Sequence, residues 1–302
     1  MAAAAVMAVR VVLLLALPLL LAAGRLRDEL YDSVFYADLE GVTSLLRDLK
    51  EGVLRAGHAP IELNRRDSIE HDRTSLMMCG MYDPTEASAK DRTVTVDKDC
   101  AKIAALLMKA GADMHHADKH GWTALHHGAV RGFTKFCRFL VTKAKLPLNS
   151  QDAEGMTALM RAAGGGWLNT TRALLSLGAD FQVRDLKGKT ALHLVVQMAV
   201  LKASYVPYLR AVVDLFPRDA LELGDEHDRT PLHYALIGKG SHECARVLLE
   251  AGADSSRADA FKVTPYQMAS SEQSRGLIAE YNARAAEEAH RVWREQQEMK
   301  EL

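Results

Sequence analysis

Glu226-His227-Asp228-Arg229-Thr230-Pro231-Leu232-His233-Tyr234-Ala235 is the stretch that decides how this chain folds. Thr230 is a good helix N-cap, because its hydroxyl can accept from the free N–H groups of the first turn. Pro231 takes the first helical position, where a missing N–H does no harm. Leu232 points into a core, and Ala235 is small enough to let a neighbouring helix approach. The first five residues recur verbatim as Glu70-His71-Asp72-Arg73-Thr74. A sequence that repeats itself must be read for its period before anything else.

The Thr-x-Leu core of the stretch occurs at Thr74-Ser75-Leu76, Thr123-Ala124-Leu125, Thr157-Ala158-Leu159, Thr190-Ala191-Leu192 and Thr230-Pro231-Leu232. It ends at Thr264-Pro265-Tyr266, where Tyr replaces Leu. The intervals from 123 to 157, 157 to 190 and 230 to 264 lie near 33 residues, and the other two are longer. A second landmark keeps phase: Gly111-Ala112-Asp113, Gly178-Ala179-Asp180 and Gly252-Ala253-Asp254 each follow an apolar helical run. Gly there ends a helix in the left-handed conformation of a C-cap. The spacing therefore predicts two helices per unit, the second over Asn169 to Leu177 or His242 to Ala251. Polar turns such as Asp118-Lys119-His120-Gly121 and Asp185-Leu186-Lys187-Gly188 join successive units.

These residues resemble the ankyrin-repeat family, whose Thr-Pro-Leu-His-x-Ala signature is matched at Thr230 to Ala235 and nearly matched at Thr123 to His126 and Thr190 to His193. The resemblance covers about residues 28–282. It implies an all-α solenoid of antiparallel helix pairs, with a projecting β-hairpin between repeats, that binds another protein and performs no catalysis. The organisation expected is a leader at 1–24, an N-terminal capping ankyrin-like repeat at 25–68, six repeats at 69–282, and a charged C-terminal helix at 283–302. The cap's second helix is read in Asp38-Leu39-Glu40-Gly41-Val42-Thr43-Ser44-Leu45-Leu46. Three units depart from the pattern before Thr, with Asp72, Asp228 and Lys262 in place of Gly, and three lack the His, with Met77, Met160 and Gln267 there. Distortion is expected at those units.

Residues 1–24, MAAAAVMAVRVVLLLALPLLLAAG, are of another kind. Arg10 and the amine precede an apolar run from Val11, and Ala22-Ala23-Gly24 offers a small-x-small cleavage site, the pattern of a secretory signal peptide. The run falls short of the about 20 residues of a membrane span, which favours cleavage. The alternative is an uncleaved anchor. Arg25 and Arg27 would then hold the repeats in the cytosol by the positive-inside rule. Asn169-Thr170-Thr171 is an N-glycosylation sequon that only a luminal chain can use. At the other end, only Glu301-Leu302 matches a Lys-Asp-Glu-Leu retention signal.

Composition narrows the functions. The 302 residues carry a net charge of −1, and aromatic residues are 6%. Neither the basic excess that phosphate contacts need nor a base-stacking platform is present. No nucleic acid is expected as a partner, and a membrane only if the leader is retained. The helix-forming residues point to an α-rich fold.

Catalytic and cofactor signatures are lacking. Gly164-Gly165-Gly166 is followed by no Gly-Lys-Ser/Thr and reads as an interhelix turn. His126, His193 and His233 share one repeat position, but stacked helices lie about 8–10 Å apart and Zn–N bonds are about 2.1 Å. The family resemblance instead implies that this His bonds backbone near the interrepeat turn. His71, Asp72, His227 and Asp228 fall on turns. Cys79, Cys100, Cys137 and Cys244 form no Cys-x-x-Cys pair and read as structural thiols. No metal or cofactor is expected.

Two inserts, Asp83 to Asp97 and Met198 to Tyr208, read as surface loops between helices, with a partner contact as the alternative for Tyr205-Val206-Pro207-Tyr208. The tail from Glu280 reads as a solvated helix of i,i+4 ion pairs (Glu280/Arg284, Glu287/Arg291, Arg291/Glu295, Arg294/Glu298), with Trp293 able to dock on the last repeat. The function expected is that of a protein-binding scaffold, with a membrane-anchored cytosolic adaptor or a non-catalytic regulatory subunit of an enzyme complex as alternatives, and binding is expected on the concave face of hairpin tips and first helices. Lys119, His120, Glu154, Met156, Lys187, Lys189, Glu226, His227 and Lys262 supply the tips, and His127, Arg161 and Gln197 the helices. Trp122, Arg131, Tyr234 and Phe261 are the expected partner-binding residues, since aromatic and Arg side chains are the usual hot spots.

Overall fold

The computed structural model describes residues 33–34, 37–51, 73–79, 89–237 and 242–301. The leader at 1–24, the sequence at Glu70 to Asp72 and most of the capping repeat lie outside these residues. Twelve α-helices are described: α1 (Leu39–Glu51), α2 (Ala89–Lys109), α3 (Ala124–Val130), α4 (Thr134–Thr142), α5 (Ala158–Gly164), α6 (Leu168–Ser176), α7 (Ala191–Leu201), α8 (Val206–Val213), α9 (Pro231–Leu236), α10 (His242–Glu250), α11 (Pro265–Met268) and α12 (Glu272–Glu301).

Five helix pairs follow one another: α3/α4, α5/α6, α7/α8, α9/α10 and α11/α12. First helices stack α3 on α5 on α7 on α9 on α11, and second helices stack α2 on α4 on α6 on α8 on α10 on α12. Thr123, Thr157, Thr190, Thr230 and Thr264 are the N-caps of the first helices, all in extended backbone. Thr74 is the exception. It opens a run of turns over 75–79.

The core is a single apolar seam running the length of the stack. Leu125, Leu140, Leu159, Leu174, Leu192 and Leu209 are fully buried, each worth about 1.5–3 kcal/mol relative to exposure. Small residues set the helix spacing. Ala129, Ala162, Ala163 and Ala235 are wholly buried, and a Cβ added at Gly128 would lie 2.7 Å from Phe136.

Neither insert is a loop in its described part. Residues 89–97 belong to α2, which is thereby lengthened, and Asp97 is buried. Its two carboxylate oxygens accept from the N–H groups of Lys135 and Phe136, both at 2.9 Å. Those donors open α4 and have no intrahelical partner, so the insert caps the next repeat. Met198 to Leu201 extend α7, and Ala203–Tyr205 form a 3₁₀ turn leading into α8. Tyr205 and Tyr208 are half-buried. The Tyr208 hydroxyl donates to the Ala163 carbonyl at 2.9 Å. The aromatic insert thus braces the preceding repeat.

The final helix α12 begins at Glu272 and passes the expected 282/283 boundary without a break. Ile278 is buried, but Val292 and Trp293 are exposed. Trp293 stacks edge-on against His290, centroids 5.9 Å apart, instead of docking on the last repeat. The expected pairs Arg284 with Glu280 and Arg291 with Glu295 form, and Arg291 also meets Glu288 in place of Glu287. Among the described residues no helix is long and apolar enough to cross a membrane.

Candidate protein-interaction face

Each hairpin is built on an aspartate five residues before the capping Thr: Asp118, Asp152, Asp185, Asp225 and Asp259. One carboxylate oxygen accepts from the N–H groups two and four residues on, for example His120 and Trp122 at 2.9 Å, or Phe261 and Val263 at 2.9 Å. The aspartate's own N–H donates to the carbonyl four residues on, as from Asp118 to Trp122 at 2.9 Å. The side chain thereby replaces the partners a tight turn leaves empty. The corner residue has positive φ in all five turns: Gly121, Gly155, Gly188, Asp228 (58°) and Lys262 (61°). The expected distortion at Asp228 and Lys262 is absent. Asp tolerates the left-handed region better than most residues, and Lys262 adopts it inside the same five-residue closure.

Successive hairpins are bonded to each other. Ala153 donates to His120 O (2.8 Å), Leu186 to Glu154 O (3.1 Å), Glu226 to Lys187 O (3.3 Å) and Ala260 to His227 O (2.8 Å). The turns therefore form one continuous ribbon along the edge of the stack. Among the described residues it contains only an isolated bridge, Ala117 to Thr123, and no extended strand.

The histidines lock this ribbon to the helices. Nδ1 of His193 accepts from the Thr190 N–H at 3.1 Å, and Nε2 lies 2.8 Å from the Arg229 carbonyl of the next hairpin. An N–H cannot accept and a carbonyl cannot donate, so the ring must carry its proton on Nε2. His126 and His233 repeat the arrangement, reaching Met156 O and Val263 O. Burial, the largest cause, pushes all three below the usual histidine range, His193 to about 4. They are structural, as the family resemblance implied. Gln267 performs the capping half of this work with its amide oxygen, 2.9 Å from Thr264 N.

The second carboxylate oxygen of several hairpin aspartates faces the first helix nine residues on. Asp118 meets His127 at 3.1 Å, Asp152 meets Arg161 Nη2 at 2.6 Å, and Asp225 accepts from the Tyr234 hydroxyl at 2.8 Å. At Asp185 the residue nine on is Leu194, which has no polar group to offer, and Asp185 is the one of the five that is not fully buried. Burial alone would raise the carboxyls of Asp118 and Asp225. Hydrogen bonds from His127 and Tyr234, with those from the turn N–H groups, outweigh it and hold both low.

Three of the four expected binding residues are rings covered by a cation from an adjacent repeat. Arg161 lies 4.4 Å over Trp122, Lys189 lies 5.1 Å over Tyr234, and Arg229 lies 5.6 Å from the Phe261 centroid. Trp122 and Tyr234 are half-buried, whereas Phe261 is 62% exposed at the last hairpin tip. Arg131 is the half-buried C-cap of α3. His127, expected to face a partner, is buried against Asp118. The four residues fall in three repeats, Trp122 and Arg131 at the two ends of α3, Tyr234 in α9 and Phe261 in the hairpin before α11. Sequence reading missed Leu186, the most exposed large apolar residue on a hairpin tip at 75%. Its position, one after the turn aspartate, was the available signal. No group of three or more metal-ligating residues occurs among the described residues.

Asn169 lies in the first turn of α6 and is exposed, while Thr171 of the same sequon is buried beside the Tyr208 hydroxyl.

Comparison with known proteins agrees with this architecture. The family described as ankyrin repeats (3 copies) matches residues 94–185 and 169–259. The chain is 33% identical over 158 residues to the nuclear factor NF-kappa-B p105 subunit of Gallus gallus, which spans 51% of this chain and 15% of that protein. It is 29% identical over 142 residues to the human SH3 and multiple ankyrin repeat domains protein 2, 47% of this chain and 7% of that one. It thus corresponds to a small part of these relatives. Among solved structures, the ankyrin repeat domain of Bcl-3, a member of the IkappaB protein family, superposes with a TM-score of 0.63 at 24% identity, covering 84% of this chain and 98% of that one. The human ASB11 ankyrin repeat domain gives 0.59 at 18% identity, covering 84% and 97%. Such repeats are typically non-catalytic modules for protein–protein interaction. With the family's signature spanning more than half of its length, and a Thr-capped helix pair at each match, the chain belongs to the ankyrin-repeat family.

Proposed function

We propose that this protein is a binding scaffold that enters the secretory pathway and grips a protein partner along its hairpin ribbon and first helices. The observation that carries the reading is the ribbon itself: five bonded hairpins present Leu186 and Phe261 outward, over rings held by cations from the neighbouring repeat. Trp122 and Tyr234 serve as rigid half-exposed anchors and Arg131, at the C-terminal end of α3, as a polar contact. Aromatic anchors fixed in advance cost little entropy on binding. With the full chain as bait, a captured partner is titrated against a Leu186→Ala, Phe261→Ala variant. A loss of about tenfold or more in affinity with unchanged helix content is expected, about 1.4 kcal/mol or more. Unchanged affinity, together with unchanged affinity of Trp122→Ala, Arg131→Ala and Tyr234→Ala variants that remain folded, would place the contact elsewhere.

The leader at 1–24 supports the secretory reading. Arg25 and Arg27 favour a second one, an anchored adaptor with its repeats in the cytosol. Asn169, exposed on α6, separates them. Treatment with an N-glycosidase is expected to shift the mobility of the wild-type chain and not that of Asn169→Gln. A wild-type chain from its native source that carries no leader-dependent processing and no glycan would favour the cytosolic adaptor.

A further inference from the structure

Arg138, Arg172, Arg210 and Arg246 hold one position in successive repeats. Each is exposed and stands two residues before a buried aliphatic of a second helix: Leu140 in α4, Leu174 in α6, Val212 in α8 and Leu248 in α10. Those helices stack in that order, so the four arginines share one outward side of the stack.

The row is not uniform in charge. Arg210 meets Glu250 at 2.6 Å and Arg246 meets Glu243 at 3.8 Å. By contrast, α4 and α6 contain no acidic residue. Arg138 and Arg172 pair with no acidic group among the described residues. Lys135 is exposed one turn before Arg138. Packed on α4, α2 adds Lys98, Lys102 and Lys109, exposed at helical spacing on one side. Nearby acids do little to offset these cations. Asp97 is buried at the head of α4, and Asp99 meets only Lys102, at 3.1 Å. Asp113 and Asp180 lie beyond the C-terminal ends of α2 and α6, where they accept from the N–H groups of His115 and Gln182.

We propose that the outward side of α2, α4 and α6 is a second protein-binding surface, and that it takes a segment rich in Asp and Glu. Cations fixed on packed helices repel one another, and a carboxylate laid between them removes that repulsion. Arg can add two parallel hydrogen bonds to each carboxylate. Helix axes about 8–10 Å apart make the three-helix face about 20 Å wide, which about six residues of extended chain can cross. Contact with a bilayer is disfavoured, because among the described residues these helices expose no large apolar side chain to insert. The nearest, Trp167 before α6, donates its Nε1–H to the Val130 carbonyl at 2.7 Å and rests on Gly132.

This surface lies apart from the hairpin ribbon, so it stands or falls separately from the reading above. The probe is a fluorescein-labelled oligoglutamate peptide of about ten residues, titrated with the full chain and followed by anisotropy. Every chain carries Asn169→Gln, so that no glycan stands one turn from Arg172. Binding is expected at about 25 mM salt and should weaken towards about 150 mM as screening grows. Arg138→Glu, Arg172→Glu should lose about tenfold or more in affinity. Arg210→Glu, Arg246→Glu changes net charge equally and should stay within about twofold, because those two side chains are already paired. The neutral pair Arg138→Gln, Arg172→Gln should fall between them, with helix content unchanged throughout. Leu186→Ala, Phe261→Ala should bind the peptide as the parent does. No binding at low salt, equal losses in the two reversed pairs, or a loss in the Leu186, Phe261 variant would overturn the proposal. So would capture by phosphatidylserine-containing vesicles without binding of the peptide. None of these four results except the third bears on the ribbon, and that one would strengthen its case.

Discussion

Replacing His193 with Leu should destabilise the protein by about 3 kcal/mol, although Leu fills nearly the same volume. The ring stands between the Thr190 N–H, which it accepts, and the Arg229 carbonyl, to which it donates. Leucine leaves both groups unpaired in a site with no water access, and each such loss costs about 1–3 kcal/mol. His193→Gln should cost less, because the amide oxygen can take over the cap as Gln267 does for Thr264. Denaturant unfolding followed by circular dichroism measures both. The same residue makes stability depend on acid. Folded His193 titrates at about 4, against 6.5 for an ordinary histidine. The unfolded chain therefore takes up a proton that the folded chain refuses. The contribution is complete above pH 6.5 and declines as pH falls from 6.5 towards 4, by about 2 kcal/mol at pH 5. His193→Gln should flatten that slope.

Gly188→Val is expected to be at least as damaging, at about 3–5 kcal/mol. Gly188 turns the third hairpin at φ +71°, and any Cβ there would run into the backbone of Asp225 and Glu226 on the adjacent hairpin. A β-branched residue at positive φ is strained by about 1–3 kcal/mol, and forcing backbones apart adds a comparable amount. The Glu226 to Lys187 bond that joins the two hairpins would be lost with it. Asp228, at the same corner one repeat later, gives the control. It already holds φ 58° with an exposed side chain, so Asp228→Gly should relieve strain and change stability by about 1 kcal/mol or less. Thermal and denaturant midpoints of the two variants should move by very different amounts. Equal losses would mean that the hairpins do not touch as described.

The contrast between these corners shows what sequence could and could not reveal. Thr spacing identified all five first helices of the complete pairs, since an N-cap is a local device written in one residue. The His role followed from the family resemblance. The aspartates five residues before Thr were equally periodic but were read as generic turn residues. Their function depends on which backbone N–H groups curl toward the carboxylate, and that is a property of the closed turn. The substitutions at Asp228 and Lys262 suggested distortion, yet the five-residue closure around the corner tolerates them.

The inserts hide their role for a related reason. Polarity suggested loops, but Asp97 is buried because two N–H groups of α4 need it, and Tyr208 is half-buried because a carbonyl of α5 does. Partners of this kind lie tens of residues away, beyond any local pattern. The candidate face was legible by residue type and not by exposure. Trp122 and Tyr234 are tied into the stack, His127 is inside it, and Leu186 and Phe261 are exposed at the tips.

On the proposed reading the hairpin ribbon and first helices form the surface that meets a protein partner. Hydrogen–deuterium exchange of the full chain, free and bound to a captured partner, tests it most directly. Slower exchange is expected on binding at residues 118–122, 152–156, 185–189, 225–229 and 259–263 and at the ends of α3 and α9. Protection confined to the second helices α4, α6, α8 and α10 or to the distal part of α12, with the hairpins unchanged, would contradict it.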